Sequence, residues 1–214
     1  MRLLSVNVAQ PREHRVIGKP ATTGIHKEPQ PGAVHVGRQG LAGDHIADVA
    51  NHGGPDQAVY LYSAEDYDWW AERLGEALEP GTLGENLTLS SFGPGPVRVG
   101  DRYRVGEALL EVTSPRIPCA TLAARMGDPA FVKKFRQARR PGFYARVLVE
   151  GKVRAGDGVE RVLTSAHTPT ILDLFELFYE RSPSPDTLRR ALAAPVAVRN
   201  REEYEEQLRN LDRG

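Results

Sequence analysis

Hydrophobic and polar residues alternate in short runs through the first three-quarters of the chain. Residues 3–8 and 57–62 are clear examples, and the second run is rich in β-branched and aromatic side chains, which favour strands. Twenty of the 21 glycines lie at or before Gly158, so turns separate these runs. Many short strands with few helices favour a closed or nearly closed β-barrel, and the predicted fold class is mainly β.

The other elements of this region follow from the same pattern. Strands are predicted at residues 34–36, 97–100, 102–105, 108–113, 143–150, 152–153 and 159–163, and a hairpin around Pro20 and Gly24 at residues 16–27. Ser63 is a predicted cap for a helix that continues to Leu74 and ends near Gly75. Two more helical segments are predicted at residues 120–126 and 129–139.

From Thr168 onward the hydrophobic period becomes that of α-helices. Cap signals mark three helix starts, at Thr168-Pro169, Ser184-Pro185 and Asn200 with Glu203. The residues predicted to face inward on the first and third helices are Ile171, Leu174, Phe175, Phe178, Tyr204, Leu208 and Leu211.

The chain therefore divides into a predicted barrel domain, residues 1–164, and a predicted three-helix domain, residues 165–214. A segment this short rarely buries a sufficient core of its own. We expect the three helices to dock on the barrel or on a second subunit, which would make the protein a homodimer.

Composition narrows the functional class. Lys and Arg total 28, as do Asp and Glu, so no overall field attracts nucleic acid or an anionic membrane. From Thr168 onward, seven basic residues face nine acidic ones, which argues against the alternative that the helices form a DNA-binding adaptor. No signal-peptide core or membrane-length run is present, and one cysteine cannot form an intramolecular disulfide. We expect a cytoplasmic protein.

The single cysteine, Cys119, is the first candidate for chemistry. Pro115 and Pro118 bracket Arg116 and stiffen the chain between a predicted strand and a predicted helix. A helix N-terminus and a nearby guanidinium both lower a thiol pKa and favour the thiolate, which attacks electrophiles and binds metals. The alternative is an inert, buried small hydrophobe.

A second polar stretch covers residues 40–57, in which Asp44, Asp48, His52 and Asp56 recur every fourth residue. Glycines and Pro55 make a continuous helix implausible, so a polar loop is predicted, and a metal site there is only weakly indicated. The Gly53 and Gly54 amides with His52 would face an anion or cofactor, or else form a hydrogen-bonded turn.

Three further segments carry candidate ligand-binding residues. Asn86 lies in a polar turn before a predicted strand. Lys19 and Thr23 belong to a cationic, hydroxyl-bearing stretch that suits phosphate, or is an ordinary exposed hairpin. Arg139 belongs to a basic run that would face an anionic ligand, or is a solvated helix face.

The joint order of these motifs resembles the MOSC domain, the C-terminal domain of molybdenum-cofactor sulfurases. The motifs are Gly40-Leu41-Ala42-Gly43-Asp44, His52-Gly53-Gly54-Pro55-Asp56-Gln57, Gly84-Glu85-Asn86-Leu87, Val99-Gly100-Asp101, Pro115-Arg116-Ile117-Pro118-Cys119 and Gly142-Phe143-Tyr144-Ala145-Arg146. The similarity runs from about residue 16 to residue 163. The last three helices resemble the small domain of a bacterial branch linked to hydroxylaminopurine resistance.

The resemblance implies a β-barrel that holds molybdenum cofactor, a pterin dithiolene with a phosphate tail, and Cys119 as the protein's molybdenum ligand. The implied reaction is two-electron reduction of N-hydroxylated compounds to amines, with electrons from a separate reductase protein. An alternative reading of the same cysteine is a sulfur carrier with a persulfide on Cys119.

The predicted site follows from this resemblance and from residue chemistry. Cys119, Arg116 and His52 are the predicted catalytic residues, and Cys119 is the metal ligand. The residues expected to bind the cofactor are Asp44, Gly53, Gly54 and Asn86, with Lys19, Thr23 and Arg139 assigned to its phosphate from their chemistry and position alone. Protons for N–O cleavage would come from His52 or from water. The expected partners are a small N-hydroxylated substrate and the external reductase.

Overall fold

The computed structural model describes residues 1–48 and 53–211, and thirteen β-strands lie within them. In chain order, the strands are β1 (Leu3–Val8), β2 (Arg12–Val16), β3 (Lys19–Thr23), β4 (Glu28–Pro29), β5 (Val34–Gly37), β6 (Gly40–Leu41), β7 (Val59–Ser63), β8 (Leu87–Leu89), β9 (Arg102–Val105), β10 (Ala108–Ser114), β11 (Phe143–Val149), β12 (Gly151–Val153) and β13 (Val159–Val162).

Eight of the strands form one mixed sheet in the order β13-β9-β10-β11-β7-β8-β1-β4. Only the β7–β8 pairing in this sheet is parallel, and a parallel pair needs a crossover. Helix α1 (Ala64–Leu74) lies in that crossover. The sheet curls into a half-barrel, and Arg2, next to β1, bridges Gly158, next to β13, so one end of the sheet meets the start of β1. The predicted barrel-type β fold is confirmed in this form.

Residues close together in the sequence determine where α1 begins and ends and where the first hairpin turns. Ser63 Oγ accepts a hydrogen bond from the Asp66 amide at 3.2 Å, and Gly75 ends α1 with φ of 77°, both as predicted. The hairpin β2–β3 begins earlier than predicted, because its tight turn is formed by Ile17 and Gly18, both with positive φ.

Five more α-helices lie in the described part of the chain, and each is too short or too polar to span a bilayer, as is α1. They are α2 (Ala120–Arg125), α3 (Phe131–Ala138), α4 (Ile171–Tyr179), α5 (Pro185–Leu192) and α6 (Val198–Leu211). Ser184 caps α5 and Pro185 opens it, as predicted.

Two helix starts and one strand differ from the prediction. The cap of α4 is Thr170, not Thr168, because Asp173 completes a capping box with Thr170. Helix α6 starts at Val198, whose amide donates to Asp56 Oδ2 at 2.8 Å. Residues 97–100 form a loop rather than a strand, because their backbone bonds to the segment that leads into α4.

The last three helices pack on the barrel of their own chain. Leu174, Leu188 and Tyr204 belong to the same buried apolar cluster as Val112 of β10. The two parts predicted from the sequence, residues 1–164 and 165–214, therefore share one core. Two side chains predicted to face inward do not: Phe178 is 46% exposed and Leu211 is 45% exposed. Both lie toward the ends of their helices.

Arg146 on β11 fastens these helices to the barrel. Its Nη2 donates to the carbonyls of Pro195 and Val196, both at 3.1 Å. Its Nε lies 2.9 Å from Asp56 Oδ1, and Asp56 in turn receives the α6 amide. One arginine and one aspartate of the barrel thus hold the chain at the start of α6.

We expect the substitution Arg146→Leu to lower the free energy of unfolding by about 2–3 kcal/mol, because it removes charge-assisted hydrogen bonds from a largely buried site. Urea unfolding followed by circular dichroism measures the loss. The control is Arg104→Leu on β9, an exposed arginine, for which we expect a change within about 0.5 kcal/mol. Equal losses in the two variants would contradict the fastening role.

Candidate functional site

Cys119 lies between the end of β10 and the start of α2, directly before the first residue of the helix. Residues 115–118 run without helix or strand, and the Cys119 backbone is extended, with φ of −128°. The Cys119 carbonyl accepts from the amides of Leu122 and Ala123 at 3.1 and 3.2 Å. Helix α2 has only six residues, so nearby side chains, more than the helix dipole, set the charge around the half-buried thiol.

Two cavities meet at Cys119. The first, here called the barrel cavity, measures about 110 Å³ and is lined by residues of the barrel and its loops. The second, the helix-side cavity, measures about 280 Å³ and is bounded on one side by α4 and α6. Four residues line both cavities: Asp48, Gln57, Cys119 and Tyr144. A ligand in either cavity would therefore lie against the cysteine.

Arg116 brings a buried positive charge to the barrel cavity. Its side chain is only 5% exposed, and its Nη1 donates to Tyr144 Oη at 3.3 Å. Its guanidinium also lies 5.1 Å from the centre of the Tyr60 ring. Within residues 1–48 and 53–211, no hydrogen-bond partner reaches Arg116 Nε and no carboxylate forms an ion pair with Arg116. Such a charge is costly to bury, and an anionic ligand would compensate it.

The electrostatics of Arg116 involve the cysteine directly. Burial lowers the pKa of Arg116, but the anionic forms of Tyr144, Tyr60, Cys119 and Glu85 oppose burial and raise that pKa above its usual value overall. The guanidinium is therefore charged throughout the physiological range.

Lys27, a second buried cation at this cavity, is already paired. Its Nζ lies 2.6 and 2.5 Å from the two carboxylate oxygens of Asp44. Burial lowers the pKa of Lys27, while Asp44 acts in the opposite direction. Asp44 Oδ1 also accepts the Ala9 amide at 2.8 Å, so Asp44 serves here to hold Lys27 and the neighbouring chain.

Asn86 and Glu85 order a turn whose residues Gly84 and Asn86 line the barrel cavity. Asn86 Oδ1 accepts the Tyr60 amide at 3.1 Å, and its Nδ2 donates to Asp44 Oδ2 at 2.8 Å. Glu85 is fully buried and accepts hydrogen bonds from Tyr67 Oη, the Gly81 amide and Thr88 Oγ1. At the preceding Gly84, whose φ is +85°, an added Cβ would lie only 3.1 Å from Ile25 Cγ1, and glycine avoids this close contact.

Thr23 and Gly24 form another wall of the barrel cavity. Thr23 is buried, and its Oγ1 accepts the Ile25 amide at 3.1 Å. A Cβ on Gly24 would lie 1.7 Å from the His45 carbonyl oxygen, so only glycine allows these two loops to approach. His45 lines the same cavity, and its buried Nε2 has no hydrogen-bond partner among the described residues.

The structure brings together part of the predicted site. Cys119, Arg116, Asn86 and Thr23 line the barrel cavity, with Asp44 directly behind them. His52 lies outside the described residues.

Four predicted cofactor-binding residues lie elsewhere. Lys19 is exposed on the β2–β3 hairpin, Gly53 and Gly54 border a separate cavity at the start of α6, and Arg139 forms an ion pair of 3.2 Å with Glu176. The structure thus does not bring these four residues to the barrel cavity.

Several cavity residues were not singled out from the sequence. Tyr60, Gln57, Tyr144 and His45 all line the barrel cavity. Gln57 and Tyr144 lie within the motifs that carry the family resemblance, so those motifs could have identified them as site residues. Tyr60 and His45 have no local signal, because strand pairing and loop packing place them.

Comparisons with known proteins identify a matching family and two relatives. The sequence model of the family described as MOSC domain matches residues 48–160. YflK of Bacillus subtilis (strain 168) is 42% identical over 158 residues, which cover 74% of this chain and 72% of YflK. A protein named Reductase from Gibberella moniliformis (strain M3125 / FGSC 7600) is 31% identical over 84% of this chain, which spans only 33% of that relative.

The fold agrees with a solved structure. The crystal structure of YiiM from Geobacillus stearothermophilus superposes with a TM-score of 0.79 and 29% sequence identity. The superposition covers 97% of this chain and 98% of that one, so it includes both the curled sheet and the last three helices.

The buried Glu85 predicts a pH dependence of stability. Burial raises the pKa of Glu85 above its usual value, although hydrogen bonds from Gly81, Tyr67 and Thr88 oppose the shift. A group with a raised folded-state pKa stabilises most below its unfolded pKa of about 4.5, and this contribution is lost as pH rises through the folded pKa.

We therefore expect Glu85→Gln, which resembles the protonated form, to lose less stability than the wild type as the pH rises above that value. Urea midpoints measured across this pH range test the difference. Glu76→Gln, an exposed position after α1, serves as the control and should follow the wild type. Parallel pH profiles for wild type and Glu85→Gln would rule out the proposed ionisation.

Proposed function

The chain belongs to the MOSC domain family, and we propose that it is a molybdenum-cofactor-dependent reductase of N-hydroxylated compounds. The products would be amines, and the electrons would come from a separate reductase protein. The observation that carries the proposal is the position of Cys119 on the shared wall of two cavities, next to the buried charge of Arg116, which has no carboxylate partner among the described residues. One cavity would take the cofactor and the other the substrate.

The residues of the barrel cavity suit this cofactor, and the cavity, at about 110 Å³, would hold its metal end and part of the pterin rather than the whole group. Cys119 offers a soft thiolate, the ligand type that soft metals prefer. Two buried nitrogens, Arg116 Nε and His45 Nε2, have no partner among the described residues and suit an anionic, oxygen-rich group. In this proposal Cys119 binds the molybdenum, Arg116 compensates negative charge, and Asn86 and Thr23 contact the pterin or its phosphate.

When bound, the cofactor supplies the two-electron redox centre for reduction of the N–O bond. The overall reaction consumes two electrons and two protons, breaks the N–O bond, and yields the amine and water. Arg116 would position the anionic cofactor next to the Cys119 thiolate. It would also orient Tyr144 through the hydrogen bond to the tyrosine hydroxyl. Burial raises the pKa of Tyr144, so the hydroxyl keeps its proton at neutral pH and would be able to donate a hydrogen bond at the junction of the cavities.

The first test is the metal and pterin content of protein produced in a molybdenum-replete host that makes the cofactor. We expect near-stoichiometric molybdenum and pterin in the wild type and background levels in Cys119→Ser, because a hydroxyl is a harder and less acidic ligand than a thiol. Circular dichroism and unfolding midpoints establish that the variant is folded. The variant Ser182→Ala, at an exposed position, controls for loss of metal and pterin during purification.

Two results would overturn the proposal. Retained N-hydroxylamine reduction in molybdenum-loaded Cys119→Ser would show that the thiolate is not required. Wild-type protein without metal and pterin, but with cyanide-releasable sulfur on Cys119, would favour a sulfur carrier instead.

A second prediction separates binding from stability at Arg116. We expect Arg116→Met to leave the stability of the cofactor-free protein unchanged or higher, because it removes, at similar volume, a buried charge that has no carboxylate partner among the described residues. Cofactor retained after gel filtration should fall by at least about tenfold, as when groups that support a metal ligand are lost. Arg104→Met is the matched control on an exposed strand face. A destabilised variant with full cofactor content would assign Arg116 a structural role.

A further inference from the structure

Both tryptophans of the chain lie between its surface and a group of buried tyrosines. Trp69 is half-buried, and its ring centre lies 5.0 Å from that of Trp70. Trp70 is buried, and its Nε1 donates to Tyr62 Oη at 2.9 Å. Indole and phenol rings are the side chains, besides thiols, that lose one electron most easily, and three of them here follow one another inward.

Two more tyrosines continue these rings to the cysteine. The Tyr62 ring centre lies 6.2 Å from that of Tyr60, which lies 5.1 Å from that of Tyr144. All three rings are buried, and Tyr144 lines both cavities together with Cys119. These separations are short enough for an electron to pass from each ring to the next. The five residues, here called the ring series, are Trp69, Trp70, Tyr62, Tyr60 and Tyr144.

Tyr67 lies beside the ring series and has a base for its proton. Its ring centre lies 5.3 Å from that of Tyr62, and its Oη lies 2.7 and 2.8 Å from the two carboxylate oxygens of Glu85. A tyrosine that loses an electron must also lose its phenolic proton, because the oxidised phenol is a very strong acid. The hydroxyls of Tyr60 and Tyr62 donate to backbone carbonyls, which are poor bases. Tyr67, with a carboxylate, is much better placed to become a neutral radical.

The hydrogen bonds around Glu85 indicate that it is a carboxylate that only accepts. Tyr67 Oη accepts the Leu83 amide at 3.2 Å, so its own proton points to Glu85. Thr88 Oγ1 accepts Asn7 Nδ2 at 3.1 Å, so its proton points to Glu85 as well. A backbone amide donates to the same carboxylate at 2.7 Å. The Tyr67 proton can therefore move to Glu85 along an existing hydrogen bond.

The charges at the two ends favour a radical at Tyr67 over one at Trp69. The guanidinium carbons of Arg73 and Arg140 lie 4.1 and 4.9 Å from the centre of the Trp69 ring. Two positive charges over a ring oppose the loss of an electron from it. At Tyr67, the negative charge of Glu85 has the opposite effect. A radical formed at Trp69 is therefore expected to move inward.

We propose that Tyr67 and Glu85 form a proton-coupled redox pair that draws one-electron oxidation away from Cys119 through the ring series. When a radical oxidant such as nitrogen dioxide removes an electron from the Cys119 thiolate, the thiyl radical takes an electron that leaves Tyr67. The Tyr67 O–H bond breaks, its proton passes to Glu85, and Cys119 is again a thiolate. One electron from a soluble thiol, which ends as a disulfide, restores Tyr67, and the proton returns from Glu85.

The pair would protect the cysteine, because oxidation of a thiol beyond the sulfenic acid is irreversible without a dedicated repair enzyme. This inference goes beyond the proposed function and does not depend on it, since each step uses only side chains of the chain and two soluble reactants. It can therefore be tested on the full chain without cofactor.

Azide radicals generated by pulse radiolysis test the redox pair. They oxidise tryptophan faster than tyrosine, and Trp69 and Trp70 are the two tryptophans of the sequence. We expect the absorption of a tryptophanyl radical to give way to that of a tyrosyl radical, at a rate independent of protein concentration. In Glu85→Gln this rate should fall at least about tenfold, because a positioned base typically accelerates proton transfer by more than that.

Three further variants make the result specific. Tyr67→Phe should remove the fast conversion, and circular dichroism with urea midpoints establishes that the variant is folded. Tyr103→Phe changes another buried tyrosine, whose hydroxyl donates to the Phe92 carbonyl at 2.9 Å, and should leave the rate unchanged. Glu76→Gln, at an exposed position, controls for the loss of one carboxylate. Glu85→Gln, which keeps the side-chain shape, decides the outcome if Tyr67→Phe does not fold.

The protective role is measured at the cysteine. Wild type and variants receive the same dose of nitrogen dioxide radical in the presence of glutathione, and intact Cys119 is counted by mass spectrometry. We expect irreversible oxidation of Cys119 to rise at least about twofold in Glu85→Gln and Tyr67→Phe, and to stay at the wild-type level in Tyr103→Phe.

Several results would overturn the inference. No conversion to a tyrosyl radical in the wild type, or an unchanged rate in Glu85→Gln, shows that the redox pair does not exist. Equal loss of intact Cys119 in the wild type and Glu85→Gln shows that the pair does not protect the cysteine. Failure of the protein to reduce N-hydroxylated compounds bears on the proposed function alone.

Discussion

Asp44 and Asn86 form a buried hydrogen-bonded pair on which the barrel cavity depends. Asn86 joins the Tyr60 backbone to Asp44, and Asp44 joins Lys27 to the Ala9 amide. Five segments that are distant in the sequence thus meet at one amide and one carboxylate. Because buried polar groups are costly unless they are satisfied, this network holds the loops at fixed positions around the cavity. The shape of the site is therefore a consequence of the hydrogen bonds that satisfy Asp44 and Asn86.

The pattern of compensated and uncompensated charge separates structural groups from the candidate site. Asp101 and Arg161 are also almost fully buried, but they lie 2.6 Å apart, and Asp101 accepts two backbone amides as well. Lys27 is similarly neutralised by Asp44. Arg116 has no such carboxylate partner in the described part of the chain, and it lines a cavity. A fold keeps a buried charge of this kind at a cost in stability, which a bound anion would offset.

The last three helices are part of the site because the barrel determines where they lie. Arg146 and Asp56 bind the chain at the start of α6, and Arg98 Nη1 donates to the Thr168 carbonyl before α4. Asp56 and Arg146 lie in the motifs of the family resemblance, so these motifs serve helix attachment as well as the cavity. With the helices fixed, α4 and α6 complete the second cavity at Cys119.

The sequence by itself determined what depends on near neighbours in the chain. Most of the strands, the Ser63 cap, the Gly75 stop and the position of Cys119 after two prolines follow from residues a few positions apart, and the motif order identified the family. Only the tertiary structure decided that α6 begins at Val198, whose amide donates to Asp56, 142 positions earlier in the chain. Only the tertiary structure showed that Arg116 has no carboxylate partner within the described residues. The same holds for the positions of Lys19 and Arg139, which lie away from the cavity. It also decided that two cavities share Cys119. These features depend on contacts between residues far apart in sequence, whose pairing is set by the packing of the whole core and leaves no local pattern.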